Sequence, residues 1–228
     1  MIKIRDYYIP ATDLHYIEYL KENEHYQEAQ RNRAISFVED WKLAIDIGAN
    51  IGLWSKDLSK YFDKLVCFEP NIFCHDFIKK NINLDKSKIY SNALGEKEDN
   101  KKLFVHSSNS GASSLVNRTK LGLDANKKPI YGEFPKKTKT ISTVVKTLDS
   151  FNFKKIDFIK IDVQGFELSV LKGGFNTLKE NRPVICVEVD DPKNSPIITF
   201  LKELNYDLVD VIIKEHIFKK KNYLSKNV

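Results

Sequence analysis

A chain of 228 residues with 42% hydrophobic and 30% charged side chains has the make-up of one globular domain, long enough to bury a core without disulfides or a structural metal. No stretch is apolar for the length of a membrane span or a signal peptide, which argues against the first and gives no sign of export. Three scattered cysteines, Cys67, Cys74 and Cys186, form no CxxC pair and suit a reducing compartment, so a cytoplasmic location is expected.

The net charge of +6 raises the question of a nucleic-acid partner. The excess is concentrated. Residues 127–139 carry five Lys against Glu133 and residues 214–228 carry five Lys against Glu215, which leaves the rest of the chain slightly acidic. Only five of the 37 basic residues are Arg, the side chain preferred for bidentate phosphate and base contacts. Solvated lysine-rich segments are therefore the preferred reading of the charge, with nucleic acid a secondary candidate.

With no internal repeat, one domain over 1–228 is expected, divided into an N-terminal helical extension (1–41), a core (42–213) and a final strand with a basic tail (214–228). Thr12 and Asp13 after Pro10 offer an N-cap, and Leu14, Ile17 and Leu20 form a stripe at helical spacing. A second helical run extends to about Glu39, with Ala34, Ile35, Val38 and Trp41 on one side. From Leu43 the pattern changes to a strand over 43–47, a helix over 53–61, a strand over 65–68, a helix over 72–83 and a short strand over 88–91. The segment 92–140 is polar, with β-prone pieces at 102–106 and 139–144, and long loops of this kind usually carry function. A strand over 158–163 follows, then a helix over 167–179 interrupted near Gly173-Gly174, a strand over 184–189 and a helix over 195–204. Residues 208–213 and 216–219 read as a closing antiparallel pair. This alternation predicts an α/β fold with a mainly parallel, doubly wound sheet.

In such a sheet, ligands bind beyond the carboxyl ends of the strands. The first core strand delivers Asp46-Ile-Gly48-Ala49-Asn50-Ile-Gly52 there, just before a helix, and Glu69 ends the next strand. That acid stands about where a carboxylate accepts ribose hydroxyls. A pyrophosphate site wants GxGxxG and would be repelled by Asp46. An ammonium and a sulfonium would be attracted by it, so S-adenosylmethionine is favoured over a nicotinamide dinucleotide.

Further on, Lys160 and Asp162 lie two apart on a strand and share a face at its carboxyl end. Either could act as a base toward a hydroxyl acceptor, or the two could form a structural ion pair. Glu188 ends the following strand, and Ser110-Gly111 is polar and flexible enough to line an acceptor pocket. Trp54 reads as core packing or an adenine contact, Tyr26 and Gln27 as a cover for the cofactor, and His106 as a solvated loop residue or a base. No His, Cys and carboxylate cluster has metal-ligand spacing.

Seven blocks in order, AIDIGANIGLWS (44–55), CFEPN (67–71), SNALGEKE (91–98), SNSGASSL (108–115), TLDSF (147–151), DFIKIDVQGFELSVLKGG (157–174) and RPVICVEV (182–189), resemble the FkbM family of S-adenosylmethionine-dependent methyltransferases. The resemblance implies a seven-stranded Rossmann-like fold and O-methylation of a hydroxyl on a sugar or small metabolite. It places Asp46, Gly48, Ala49, Asn50 and Gly52 around the methionine part of the cofactor, Glu69 and Pro70 at the ribose, and Asn92 and Ala93 near the adenine. Asp162, Gly165 and Glu167 match the family block, and Asp162 is expected beside the cofactor, with Glu167, Glu188, Ser110 and Gly111 expected on the acceptor side unless Ser110-Gly111 is simply a turn. Gln164 stands where the family commonly has Glu. A nucleic-acid methyltransferase and a non-catalytic nucleoside-binding protein that keeps the fold are the rival readings.

Overall fold

The computed structural model describes residues 1–106, 109–116 and 139–221. The Lys-rich stretch up to 138, the basic tail beyond Lys221 and Ser108 of the acceptor block lie outside the described residues. The chain opens with a β-hairpin, β1 (Ile2–Ile4) and β2 (Tyr7–Ile9), where helix alone was expected. Its strands are held by tertiary contacts: Tyr7 and Ile9 are buried, and the open edge of β2 bonds the Asn81 side chain through Tyr8 N (2.8 Å) and Tyr8 O (2.9 Å). Two short helices follow as expected, α1 (Leu14–Glu22), capped by Asp13 Oδ1, and α2 (Glu28–Ile35).

The core runs β3 (Leu43–Ile47), α3 (Leu53–Tyr61), β4 (Lys64–Phe68), α4 (His75–Asn81), β5 (Ser87–Tyr90), β6 (Ala93–Leu94), β7 (Asp99–Val105), β8 (Lys139–Lys146), β9 (Phe158–Ile161), α5 (Glu167–Gly173), α6 (Phe175–Asn181), β10 (Val184–Glu188), α7 (Pro196–Glu203), β11 (Tyr206–Ile212) and β12 (Glu215–Lys220). Seven strands form one sheet in the order β5-β4-β3-β9-β10-β12-β11, parallel except for β12, which inserts antiparallel between β10 and β11. Strand periodicity sorts the two faces. Ile45, Ile47, Ile159, Ile161, Ile185 and Val187 pack against α5, α6 and α7, while Ala44, Cys67, Phe158 and Cys186 pack against α2, α3 and α4.

The polar segment after β5 is more regular than its composition suggests. β8 pairs with β6 in parallel and with β7 antiparallel to make a second, three-stranded sheet. Phe104 of β7 bridges to Ser114, which brings residues 109–116 back over the carboxyl end of the main sheet. Among the described residues no helix is long and apolar enough to cross a membrane.

Candidate active site

β3 delivers Asp46 and then turns at Gly48, whose φ of +83° is left-handed. A Cβ there would stand 1.9 Å from the Asp162 main-chain oxygen, so the turn can lie against the end of β9 only as glycine. Gly52 (φ +82°) starts α3 against Ile78 of α4 and is not among the residues that wall the cleft. Asn50 between them is also left-handed, at φ 49°. Its N–H donates to Glu69 Oε2 (2.7 Å), its amide to Tyr16 Oη (2.6 Å), and Cys74 Sγ donates to its Oδ1 (3.4 Å).

Two adjoining chambers open beyond β3, β4 and β9. The larger, about 540 Å³ counting space open to solvent, is walled by Glu69 and Pro70 on one side, Asn92 and Ala93 on another, and Ser110 and Gly111 opposite. Apolar Leu103, Leu115 and Phe166 complete it. The smaller, about 370 Å³, is walled by Asp46, Ala49, Trp54, Lys160, Tyr16 and Tyr26. Gly48, Asn50, Gly111 and Asp162 belong to both walls, which makes the chambers one bent cleft.

Under the smaller chamber lies a buried charge cluster. Asp46 and Lys160 are direct partners in the β3–β9 register, and Lys160 Nζ is 3.1 Å from Asp162 Oδ2. Burial alone would depress the Lys160 ammonium, but Asp162, Asp46 and Glu215 together hold it above the ordinary lysine range. This surrounding favours the ammonium, in which Lys160 is a fixed cation for the carboxylates and not a base. Trp54 covers it at 5.1 Å and donates its own N–H to Gln27 Oε1 (2.6 Å), so this indole lines the smaller chamber and not an adenine site. Burial raises the Asp46 carboxyl, whose Oδ2 accepts from Ser55 Oγ (2.5 Å) while Oδ1 has no hydrogen-bond partner. Burial opposes ionisation of Asp162, and Lys160 overcomes it and holds that carboxyl low.

Glu69 is buried and accepts the N–H groups of Asn50 (Oε2) and Asn71 (Oε1, 2.8 Å). Burial pushes its carboxyl up to about 7 against these two bonds. Each oxygen keeps one lone pair for a further donor.

On the acceptor side, Asp13 Oδ2 accepts both the N–H and the hydroxyl of Ser110 at 2.8 Å, so the cap of α1 also pins the loop. Glu167, expected at the acceptor, is instead buried and turned to its own backbone, accepting from Val163 N (3.1 Å) and Gly165 N (3.0 Å). Glu188 stands behind the cleft wall and reaches it through Gln164, which does line the larger chamber. His106 Nδ1 accepts from Asn109 N (3.1 Å) and shapes the same loop. Tyr16 and Glu215 carried no signal in the sequence, and Asp13 carried only that of a helix cap, because their partners at the site lie on distant elements. Replacing Asp13 by Ala should loosen residues 109–116 and cost about 1–3 kcal/mol, from the lost cap and the unpaired Ser110 groups. Faster amide exchange at Ser110 than in the parent is the expected readout; unchanged exchange would show that the loop is held elsewhere.

The sequence model of the methyltransferase FkbM domain matches residues 46–208. Methyltransferase sdnD of Sordaria araneosa is 29% identical over 152 residues, which cover 57% of this chain and 59% of that protein, so the chain spans about three-fifths of its relative. Among solved structures, the FkbM methyltransferase of Methylobacillus flagellatus KT superposes with a TM-score of 0.52 at 14% identity, over 81% of this chain and 45% of that one. Precorrin-8w decarboxylase of Methanobacterium thermoautotrophicum superposes with a TM-score of 0.52 at 12% identity, over 97% of this chain and all of its own length. The two likenesses show the Rossmann-like fold, and the domain match shows the family: the chain belongs to the methyltransferase FkbM domain family.

Proposed function

We propose that the protein is an S-adenosylmethionine-dependent methyltransferase that O-methylates a hydroxyl of a sugar, glycan or small metabolite. The observation that carries it is the bent cleft, with a buried carboxylate at each end. The residues present fit the cofactor. Glu69 has two free lone pairs for ribose hydroxyls, and the orphaned, buried Oδ1 of Asp46 beside the smaller chamber lacks only a cationic or N–H donor. Leu103, Leu115 and Phe166 offer the apolar surface that an adenine ring needs. When bound, the cofactor supplies an electrophilic methyl group on a cationic sulfur.

The chain's own residues then have separable tasks. Glu69 and Asp46 bind, Gly48 and Asn50 shape the turn, and Tyr16 and Tyr26 keep water from the smaller chamber. Asp162, on the wall common to both chambers, orients the acceptor oxygen, and Lys160 fixes Asp162. Holding the oxygen in line in a dry site supplies most of the acceleration such a displacement needs.

Calorimetry with S-adenosylhomocysteine tests the cofactor, and a methyl-transfer screen over sugars and nucleotides tests the acceptor. The pI of about 9.0 favours nucleic acid as a second reading. RNA binding that weakens steeply between low and physiological salt would support it over the sugar reading.

The state of Glu69 gives a sharper check. Two ribose hydroxyls need the carboxylate, whereas burial holds the free protein's carboxyl near 7. Affinity for S-adenosylhomocysteine and for adenosine should thus be level above about pH 8 and fall as pH drops through 7, by up to about tenfold per unit. Glu69→Gln should bind about ten- to a hundredfold more weakly at pH 8 and lose this pH dependence. A Glu69→Gln variant that binds adenosine like the parent would remove Glu69 from the site.

A further inference from the structure

Asp162 and Glu188 follow or end neighbouring strands and share one donor. Gln164 Nε2 lies 2.7 Å from Asp162 Oδ1 and 3.0 Å from Glu188 Oε2, so one amide group joins the two carboxyl groups. Gln164 holds this position with a φ of 60°, a backbone conformation that side chains other than glycine and asparagine rarely adopt. Its main-chain oxygen accepts from Ser114 Oγ (2.7 Å). One residue therefore ties the end of β9, the end of β10 and the acceptor loop together, and strain of this kind clusters where a fold holds functional groups in place.

We propose that Asp162 and Glu188, bridged by Gln164, act as a single proton-accepting pair for the acceptor hydroxyl, with Asp162 meeting the hydroxyl, Glu188 storing the proton and Gln164 positioning both. This rests on the methyltransferase reading above and deepens it.

Asp162 is the carboxylate that faces both chambers, yet alone it is a poor base. One oxygen is paired with Lys160 and the other accepts the Gln164 amide, and its carboxyl is held low. Proton transfer works best when the accepting group has a proton affinity near the working pH. Glu188 has that property. Burial, and then the charges of Asp162 and Asp190, push its carboxyl up to about 8. Among the described residues, the charged groups that act most on Glu188 are Asp162 from the β9–α5 turn, Asp190 just past its own strand, and Lys214 and Glu215 from the β11–β12 hairpin. Glu215 adds to the rise, and Lys214, 3.5 Å away, opposes it. Two carboxylates that share one donor at 2.7 and 3.0 Å hold one proton between them more readily than none, as coupled pairs do.

The step balances. As the acceptor oxygen gains the methyl carbon, the C–S bond breaks with its electron pair left on sulfur, and the hydroxyl proton passes by way of Asp162 to Glu188. Glu188 is 19% exposed, which gives the proton an exit to water and resets the pair.

The test is a carbon-13 NMR titration of the ligand-free full chain labelled at the glutamate carboxyl carbons, with Glu188→Gln to identify the resonance. The expected Glu188 midpoint is about 8, falling by at least one pH unit in Asp162→Asn, where the neighbouring charge is gone. Should Asp162→Asn fail to fold, Gln164→Met serves: loss of the shared donor should move the midpoint upward. An ordinary glutamate midpoint in the parent, or one that neither variant moves, overturns the pair. On a hydroxyl acceptor found by the screen, kcat should rise through the same midpoint and lose that limb in Glu188→Gln; a parent kcat flat from about pH 6 to 9 overturns the proton-accepting role. Calorimetry with S-adenosylhomocysteine, run in parallel, reports on the cofactor reading alone, so the two can fail separately.

Discussion

Gly48→Ala is expected to lose the native fold or to retain it with at least about 3 kcal/mol less stability, out of a total that for such domains is about 5–15 kcal/mol. The added Cβ would lie 1.9 Å from the carbonyl oxygen of Asp162 and 2.9 Å from its carbon. These are backbone atoms of the strand end next to β3, so no side chain can swing aside. The left-handed backbone adds about 1–2 kcal/mol for any residue with a Cβ. Urea denaturation of the variant against the parent measures the sum, and a loss below about 1 kcal/mol would contradict the packing of β3 on β9. Gly52→Ala is the comparison, because its Cβ would meet Ile78 Cα at 3.2 Å and a small shift of α4 relieves it. Any loss of cofactor affinity on changing Gly48 is then partly a loss of the fold, where the motif alone suggested close approach to a ligand.

Lys160→Met should be the second costly change. It keeps the stem and removes the cation that Asp46, Asp162 and Glu215 share, which leaves three carboxylates buried without their counter-charge. Breaking a buried ion pair from one side costs about 3–5 kcal/mol. The sign of the pH effect follows from the carboxylates. Without Lys160 the Asp46 and Glu215 carboxyls rise further above the unfolded values of about 4 and the Asp162 carboxyl loses the charge that holds it low, so the protonated forms stabilise the fold at low pH and that stability is lost as pH rises through the folded values. The gap in Tm between parent and variant should therefore be widest near pH 8 and close toward pH 4. A variant as stable as its parent at neutral pH would mean that the cluster is already neutral.

What the sequence disclosed and what it withheld divide along physical lines. Asp46, Glu69, Asp162 and the alternation of strands and helices are local patterns, and the structure brings these residues to one end of the sheet. The hairpin β1–β2 was hidden because its strands are three residues long and its turn uses Arg5 at φ 53° in place of glycine. Glu167 was expected at the acceptor from its match to the family block, yet its carboxylate accepts the N–H groups of Val163 and Gly165 in the turn after β9. Asp13 meets Ser110 across 97 positions and Glu215 meets Lys160 across a different pair of strands; neither partnership has a spacing to read.

The place of β12 bears on how the protein is made. It is the last of the described strands to leave the ribosome, yet it occupies an interior slot of the sheet, between β10 and β11, and brings Glu215 to the buried lysine. Until it arrives, β10 has a bare edge, and the cation at Lys160 lacks one of its three counter-charges. A nascent chain can thus assemble β3, β4, β5 and β9 early but can neither close its sheet nor finish neutralising Lys160 before translation has passed residue 220. Completion of the sheet and completion of the site coincide in time, so a stalled or clipped product that lacks this strand exposes an open edge instead of carrying a working cleft.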